Sequence, residues 1–297
     1  MYTQFFGTYL LSHQYISNEQ LFSAMQKASR KHLKLGTLAI HEGYMTAEEV
    51  DYVLSLQTQF DKKFGELAIE QGFLTNDQVV ELLRLQSPDF LLIGQTLVED
   101  GILSNQELEN IVTDYHSENE IYDLDINETS KELLTRLFKH FLVVSEHFLS
   151  SKGKMYIELF FNNLIRFIGD DFTPVHIEEC TEFPTIYCTY QQVCGDYSLI
   201  SYMDMDEATA IEFASRYANE SFHEYNEYVQ ASLEDFLNLQ NGLFAVNVSN
   251  ESSCELSLSP LNFSNKGLLL FDYPAYHFPV LYSFGTIHII LELIHTT

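Results

Sequence analysis

Asp235 and Asn238 stand three residues apart in the segment LEDFLNLQNGL, within a run of helical spacing, so both side chains project from one helical face. That puts an anionic acceptor beside a carboxamide able both to donate and to accept. Pro260 follows 22 residues after Asn238. A bare Asp-x-x-Asn arises by chance on many acidic helices, so its weight rests on these companions. Other reactive residue types are poorly organised. Cys180, Cys188, Cys194 and Cys254 match neither zinc nor redox spacing and read as reduced, structural residues. The 11 histidines form no H-x-H or H-E-x-x-H pair, and no metal is assigned to them.

A second group is cationic. Up to residue 116 the only basic side chains are Lys27, Arg30, Lys31, Lys34, Lys62, Lys63 and Arg84. They read either as a local anion site or as solvated cations at helix C-termini, which the helix dipole favours.

The elements that carry these cations are repeats. Gly7, Gly36, Gly65 and Gly94 recur every 29 residues, opening GTYLLSHQYISNEQL, GTLAIHEGYMTAEEV, GELAIEQGFLTNDQV and GQTLVEDGILSNQEL. A fixed period of this size marks stacked supersecondary units. Each copy predicts a helical hairpin whose first, short helix ends at Gly43, Gly72 or Gly101, with Gln14 in that place in copy one. A capping box then starts the second helix: Ser17 with Gln20, Thr46 with Glu49, Thr75 with Gln78, Ser104 with Glu107. Val50, Val53 and Leu54, or Val79, Leu82 and Leu83, supply the apolar face that neighbouring copies would bury.

After the array, DYHSENEIYDLDINE (114–128) is strongly acidic and reads as a linker, followed by an amphipathic helix over 130–150. From residue 155 the pattern becomes helix (MYIELFFNNLIRFIGDDF), strands (PTIYCTYQQV, DYSLISYM), helices over about 206–217 and 224–244, and two or three closing strands. The expected fold class is α+β multidomain: an all-α array over 1–116, a connection over 117–150, and an antiparallel sheet with flanking helices over 151–297.

A formal net charge of −28 argues against nucleic acid and anionic membrane surfaces as partners. The acidity is greatest in the second half, where Arg216 and Lys266 are the only basic residues after Phe167. The start, MYTQFFGTYLLSHQ, lacks a basic segment ahead of an apolar run, and no stretch is long enough to span a bilayer, which predicts a cytoplasmic protein without membrane insertion.

Copies two and three share a longer pattern, KLG-x-x-A-x-x-x-G-x-M-x-x-x-x-V-x-x-x-L-x-x-Q from Lys34 to Gln57 and KFG-x-x-A-x-x-x-G-x-L-x-x-x-x-V-x-x-x-L-x-x-Q from Lys63 to Gln86. It resembles the MshEN domain of type II secretion and pilus ATPases, in which two tandem motifs of this length and spacing bind cyclic di-GMP. The resemblance implies a ligand site at Lys34, Leu35, Gly36, Gly43, Gln57, Lys63, Phe64, Gly65, Gly72 and Gln86. That family opens its motif with Arg, which can stack on guanine and fork onto phosphate, whereas Lys is a point charge. Copies one and four lack the basic residue and the final Gln and read as caps. The other reading of the array is a surface for protein contacts alone.

The second half resembles the CheC/CheX/FliY phosphatases of the chemotaxis response regulator, CheX most closely. Their signature is Glu-x-x-Asn followed by Pro at the interval separating Asn238 from Pro260; Gly242 and the closing strands from Leu256 also fit. The resemblance implies a CheX-like α/β sandwich and, with it, catalysis by Asp235 and Asn238. The Asn would orient water in line with the acyl phosphate of a CheY-like receiver, the carboxylate would pair with the receiver's Lys, and the receiver would supply its own Mg²⁺. A homodimer through the sheet is implied as well. Asp235 stands where the family has Glu, one methylene shorter. The other reading of this half is a non-catalytic adaptor that binds a response regulator through the same surface.

Overall fold

The computed structural model describes residues 3–28, 32–60, 62–84, 89–120, 150–175, 177–252 and 255–296. The chain divides into two units, Met1–Asn127 and Glu128–Thr297. Each has its own core. The helix expected over 130–150 lies outside the described residues except at its last position.

The first unit contains α1 (Thr3–Ser12), α2 (Asn18–Ala28), α3 (Leu35–His41), α4 (Ala47–Gln57), α5 (Phe64–Glu70), α6 (Asn76–Leu82), α7 (Asp89–Glu99) and α8 (Asn105–Glu120). All four capping boxes form. Thr46 and Thr75 accept from the amides of Glu49 and Gln78, whose side chains reach back to the threonine amides, and Ser17 with Gln20 and Ser104 with Glu107 do the same. Between helices, Gly43, Gly72 and Gly101 take φ of 68°, 80° and 71°. Gln14 adopts the same left-handed turn, at φ 58°, despite its Cβ.

The motif glycines sit where helices approach closely. A Cβ on Gly36 would lie 3.0 Å from Val50 Cγ1 and 3.2 Å from the Phe64 ring, and one on Gly65 would lie 3.2 Å from both Leu35 Cδ2 and Val79 Cγ1. Leu35 and Phe64, the middle residues of KLG and KFG, therefore each cover the other motif's glycine.

The order of the copies differs from a linear stack. Both α1 and α2 pack on α7, while α4 packs on α8 as well as α5. Phe6 meets Phe90 and Tyr115 at ring separations of 5.2 and 5.3 Å. On the other side, Gln95 of α7 accepts from the Lys34 amide at 2.7 Å and donates to the His32 carbonyl, and Glu109 of α8 accepts from the Ala47 amide at 3.0 Å. Copy four thus lies between copies one and two and is not a cap. The acidic linker also begins later than expected. Ile111, Val112 and Tyr115 continue the buried face of α8, so residues 114–120 are helical despite their charge.

The second unit runs α9 (Ser151–Phe167), β1 (Phe172–Pro174), β2 (Glu178–Gly195), β3 (Tyr197–Asp204), α10 (Glu207–Ala218), α11 (Glu227–Ser252), β4 (Leu256–Leu258), β5 (Asn262–Tyr282) and β6 (Gly285–Thr296). Every strand pair is antiparallel, in the order β1-β5-β6-β3-β2-β4, and β5 also pairs with β2. That last pairing closes β2, β3, β6 and β5 into a ring. The ring is possible because β2 and β5, at 18 and 21 residues, are long enough to pair with three strands each, with a bulge opposite Cys180–Glu182 turning the sheet. Cys188, Tyr202, Ala275 and Ile290 pack on one face of the sheet, with Phe183, Tyr190 and Phe271 against them.

The helices cover the opposite face. Phe160 of α9 meets Phe236 of α11 and Phe278 of β5 edge-on, and Phe236 also meets Phe213 of α10. Aromatic pairs of this geometry add about 0.5–1.5 kcal/mol each beyond area burial. Ser150 caps α9 and Asp206 caps α10 by accepting the Gly153 and Thr209 amides. Beyond the sequence-expected end at 244, α11 continues to Ser252 because Ala245 and Val248 keep its apolar face buried.

Candidate functional site

Helix α11 buries Val229, Leu233, Phe236, Leu237, Gln240, Asn241 and Phe244, a spacing that leaves Asp235 and Asn238 together on the outer surface. Asn226 starts the helix by accepting from the amides of Tyr228 and Val229. Asp235 Oδ2 accepts from the Tyr217 hydroxyl of α10 at 2.7 Å. Burial first, and the Asp235 carboxylate second, push the Tyr217 phenol up, so it remains a proton donor at neutral pH. Neighbouring Glu234 is engaged elsewhere, accepting from Gln230 at 2.8 Å.

Asn238 is held from below. Its Oδ1 accepts from Gln191 Nε2 of β2 at 3.0 Å, and the same nitrogen donates to the Ser259 carbonyl at 2.9 Å. Ser259 is pinned to β2 through the Gln192 backbone in both directions, by its amide to the carbonyl at 2.9 Å and by its Oγ from the amide at 3.0 Å. Gln191 therefore joins Asn238 to the segment carrying Pro260. Sequence spacing pointed to those two residues but not to the link between them.

Behind Gln191 lies a buried chain of polar groups. Asn241 Nδ2 donates to Gln191 Oε1 at 3.0 Å, Tyr156 donates to Asn241 Oδ1 at 2.8 Å, and Ser201 of β3 bonds Asn241. Asn163 donates to Gln240 Oε1 at 2.7 Å, and Gln240 donates to the Tyr156 carbonyl. Each such bond, unmade, would cost about 1–3 kcal/mol in this setting. The helix carrying Asn238 is thus fixed in rotation against α9, β2 and β3. The assembly holds a carboxamide and a carboxylate at the surface. Burial pushes the Cys180 thiol up to about 11 and pushes up Cys188 as well, which keeps both protonated and unreactive at neutral pH.

In the first unit, Lys34 and Lys63 precede α3 and α5 with extended backbones. Lys34 Nζ lies 2.6 Å from Glu99 of α7, and its amide is taken by Gln95. The Lys63 amide donates to Glu66 at 3.3 Å. Carboxamide or carboxylate oxygens therefore already occupy both helix starts. Gln57 Nε2 donates to the Lys62 carbonyl at 3.1 Å, bracing the turn between copies. Leu35, Gly36, Phe64 and Gly65 form the interlocked contact described above, and Gly43 and Gly72 lie in the hairpin turns. Gln86 lies outside the described residues. Other cations are also paired, Lys27 with Asp100 and Lys62 with Glu70, both at 2.6 Å. Of these partners, Glu99 and Asp100 come from copy four, whose position no periodicity could reveal.

Among the described residues no helix is long and apolar enough to cross a membrane, and no group of three His, Cys, Asp or Glu is placed to hold a metal ion. No family model and no curated protein matches the sequence. Solved structures similar to it include a CheX from Borrelia burgdorferi, in a CheX–CheY–BeF3–Mg²⁺ complex, at 17% identity and TM-score 0.39, covering 47% of this chain and 96% of that one. A CheC-like superfamily protein from Shewanella sp. PV-4 is 12% identical with TM-score 0.43, covering 50% of this chain and all (100%) of that one. A CheX from Desulfovibrio desulfuricans is 11% identical with TM-score 0.42, covering 48% of this chain and 99% of that one.

Proposed function

We propose that the second unit hydrolyses the aspartyl phosphate of a CheY-like response regulator, with Asn238 positioning the attacking water. The observation that carries this reading is the placement of Asn238, exposed on α11 yet fixed by Gln191 beside the Pro260 segment. In the reaction the water oxygen bonds to phosphorus and the bond from phosphorus to the receiver's carboxyl oxygen breaks. The carboxylate leaves with the bonding pair, and both water protons end on inorganic phosphate. The Asp235 oxygen not bound by Tyr217 pairs with the receiver's lysine, and the receiver brings its own Mg²⁺. This chain supplies orientation and electrostatics only, the contributions phosphoryl transfer needs most. The test is phosphate loss from a receiver phosphorylated with acetyl phosphate. Wild type should accelerate it, and Asn238→Ala should return it to the spontaneous rate, a loss of at least about 10²-fold. Receiver binding without acceleration would instead make this domain an adaptor.

For the array we propose a sensor role with cyclic di-GMP as ligand, supported by the KLG and KFG motifs and their spacing. Binding there has to displace Glu99 from Lys34. Calorimetry should accordingly show tighter binding by Glu99→Gln than by wild type, by about tenfold for each 1.4 kcal/mol of competition removed. Loss of binding is expected for Lys34→Ala combined with Lys63→Ala, and binding that survives this double change would exclude the site.

A further inference from the structure

We infer that Gln191 is a positioning residue that fixes which end of the Asn238 carboxamide faces the substrate; its catalytic consequence rests on the phosphatase reading above. The orientation follows from a carbonyl that can only accept. Ser259 O lies 2.9 Å from the Gln191 amide end, so that end must be the nitrogen. The same nitrogen lies 3.0 Å from Asn238, so Asn238 must turn its oxygen inward. Gln191 cannot flip to escape this. Its oxygen is held at 3.0 Å by Asn241 Nδ2, and Asn241 is held in turn by Tyr156 at 2.8 Å and by Ser201. Gln191 itself is 2% exposed, and Asn241 is fully buried at 0%.

The inward oxygen keeps one lone pair, and the two N–H bonds of Asn238 point away from the sheet. A water attacking phosphorus needs an acceptor for its O–H, while the phosphoryl oxygens need donors. An amide locked in this sense offers the lone pair to the water and the N–H groups to the oxyanion. A freely rotating amide would present the reverse pattern for part of the time, placing donors against the water protons. Gln191 touches neither substrate nor water in this scheme. It acts through Asn238.

Two measurements on the full chain test the inference. In ¹⁵N-edited NMR of wild type, the Gln191 side-chain amide protons should exchange at least about tenfold more slowly than those of Asn238, because both are hydrogen-bonded inside the fold. In the receiver assay, Gln191→Leu should lower kcat by about tenfold or more with KM for the phosphorylated receiver within about twofold, and Gln191→Glu, which puts an oxygen against Asn238 Oδ1, should lower it further. Thermal unfolding of each variant separates lost folding from lost orientation. Slow exchange at Asn238 with its protons in contact with Gln191 would overturn the inference, as would an unchanged kcat in Gln191→Leu. If wild type accelerates no receiver, the phosphatase reading falls, while the NMR measurement still decides the orientation.

Discussion

Asp204 closes β3 with its carboxyl turned back to β2, where Oδ1 accepts from the Ile186 amide at 2.8 Å. The residue is 1% exposed, and burial pushes its carboxyl up to about 6, with the Ile186 and Tyr187 amides opposing and Asp206 adding to the rise. Because the folded chain holds this proton more tightly than the unfolded chain, the group favours folding below about pH 4. That contribution is lost as pH rises from about 4 to about 6. Asp204→Asn should flatten stability across this window and raise it at pH 7 by about 1–3 kcal/mol, the worth of one to two pKa units. Urea unfolding at pH 4, 5, 6 and 7 would check it; an equal slope in both proteins would show that Asp204 is not the cause. At this scale the sequence places Asp235 and Asn238 on one face, because their spacing is local to one helix. Gln191 was hidden because its partners lie 47 and 68 residues away and become neighbours only through strand register. The one local signal is polarity at Thr189, Gln191 and Ser201, positions that pack beneath the helices.

Helix boundaries show what local chemistry can and cannot specify. Four capping boxes appear where hydroxyl and Glu or Gln spacing placed them, since each needs only residues three apart. α8 and α11 run beyond the ends that their sequence pattern predicts because burial of Tyr115 and Val248, a tertiary effect, outweighs acidic composition and the loss of pattern. The glycine at the start of each inner motif is also tertiary in origin. In an isolated helix Gly36→Ala would stabilise by about 0.5–1 kcal/mol. Here the added methyl meets Val50 at 3.0 Å and Phe64 at 3.2 Å, and β-branched Val50 has little rotamer freedom with which to retreat. Gly36→Ala should therefore destabilise the first unit by about 1–3 kcal/mol, measured by denaturant unfolding. A stabilised variant would mean that α3, α4 and α5 are not so closely packed.

For the whole molecule, composition and periodicity divide the chain into a helical half and a mixed half, because hydrophobic period changes from helical to alternating between them. They could not order the copies. Each hairpin offers the same kind of apolar face, so the period alone cannot say which faces meet. Ring closure of the sheet was equally out of reach, being set by the paired lengths of β2 and β5 and by a bulge. The placement of copy four between copies one and two bears on how the chain acquires its structure during synthesis. A linear solenoid can zip up as each repeat leaves the ribosome, every unit docking on the one just made. Here α1 and α2 emerge long before α7, the helix on which they pack. The first hairpin must wait, its apolar side uncovered, while copies two and three emerge. Assembly of this half consequently includes closure of a long chain loop.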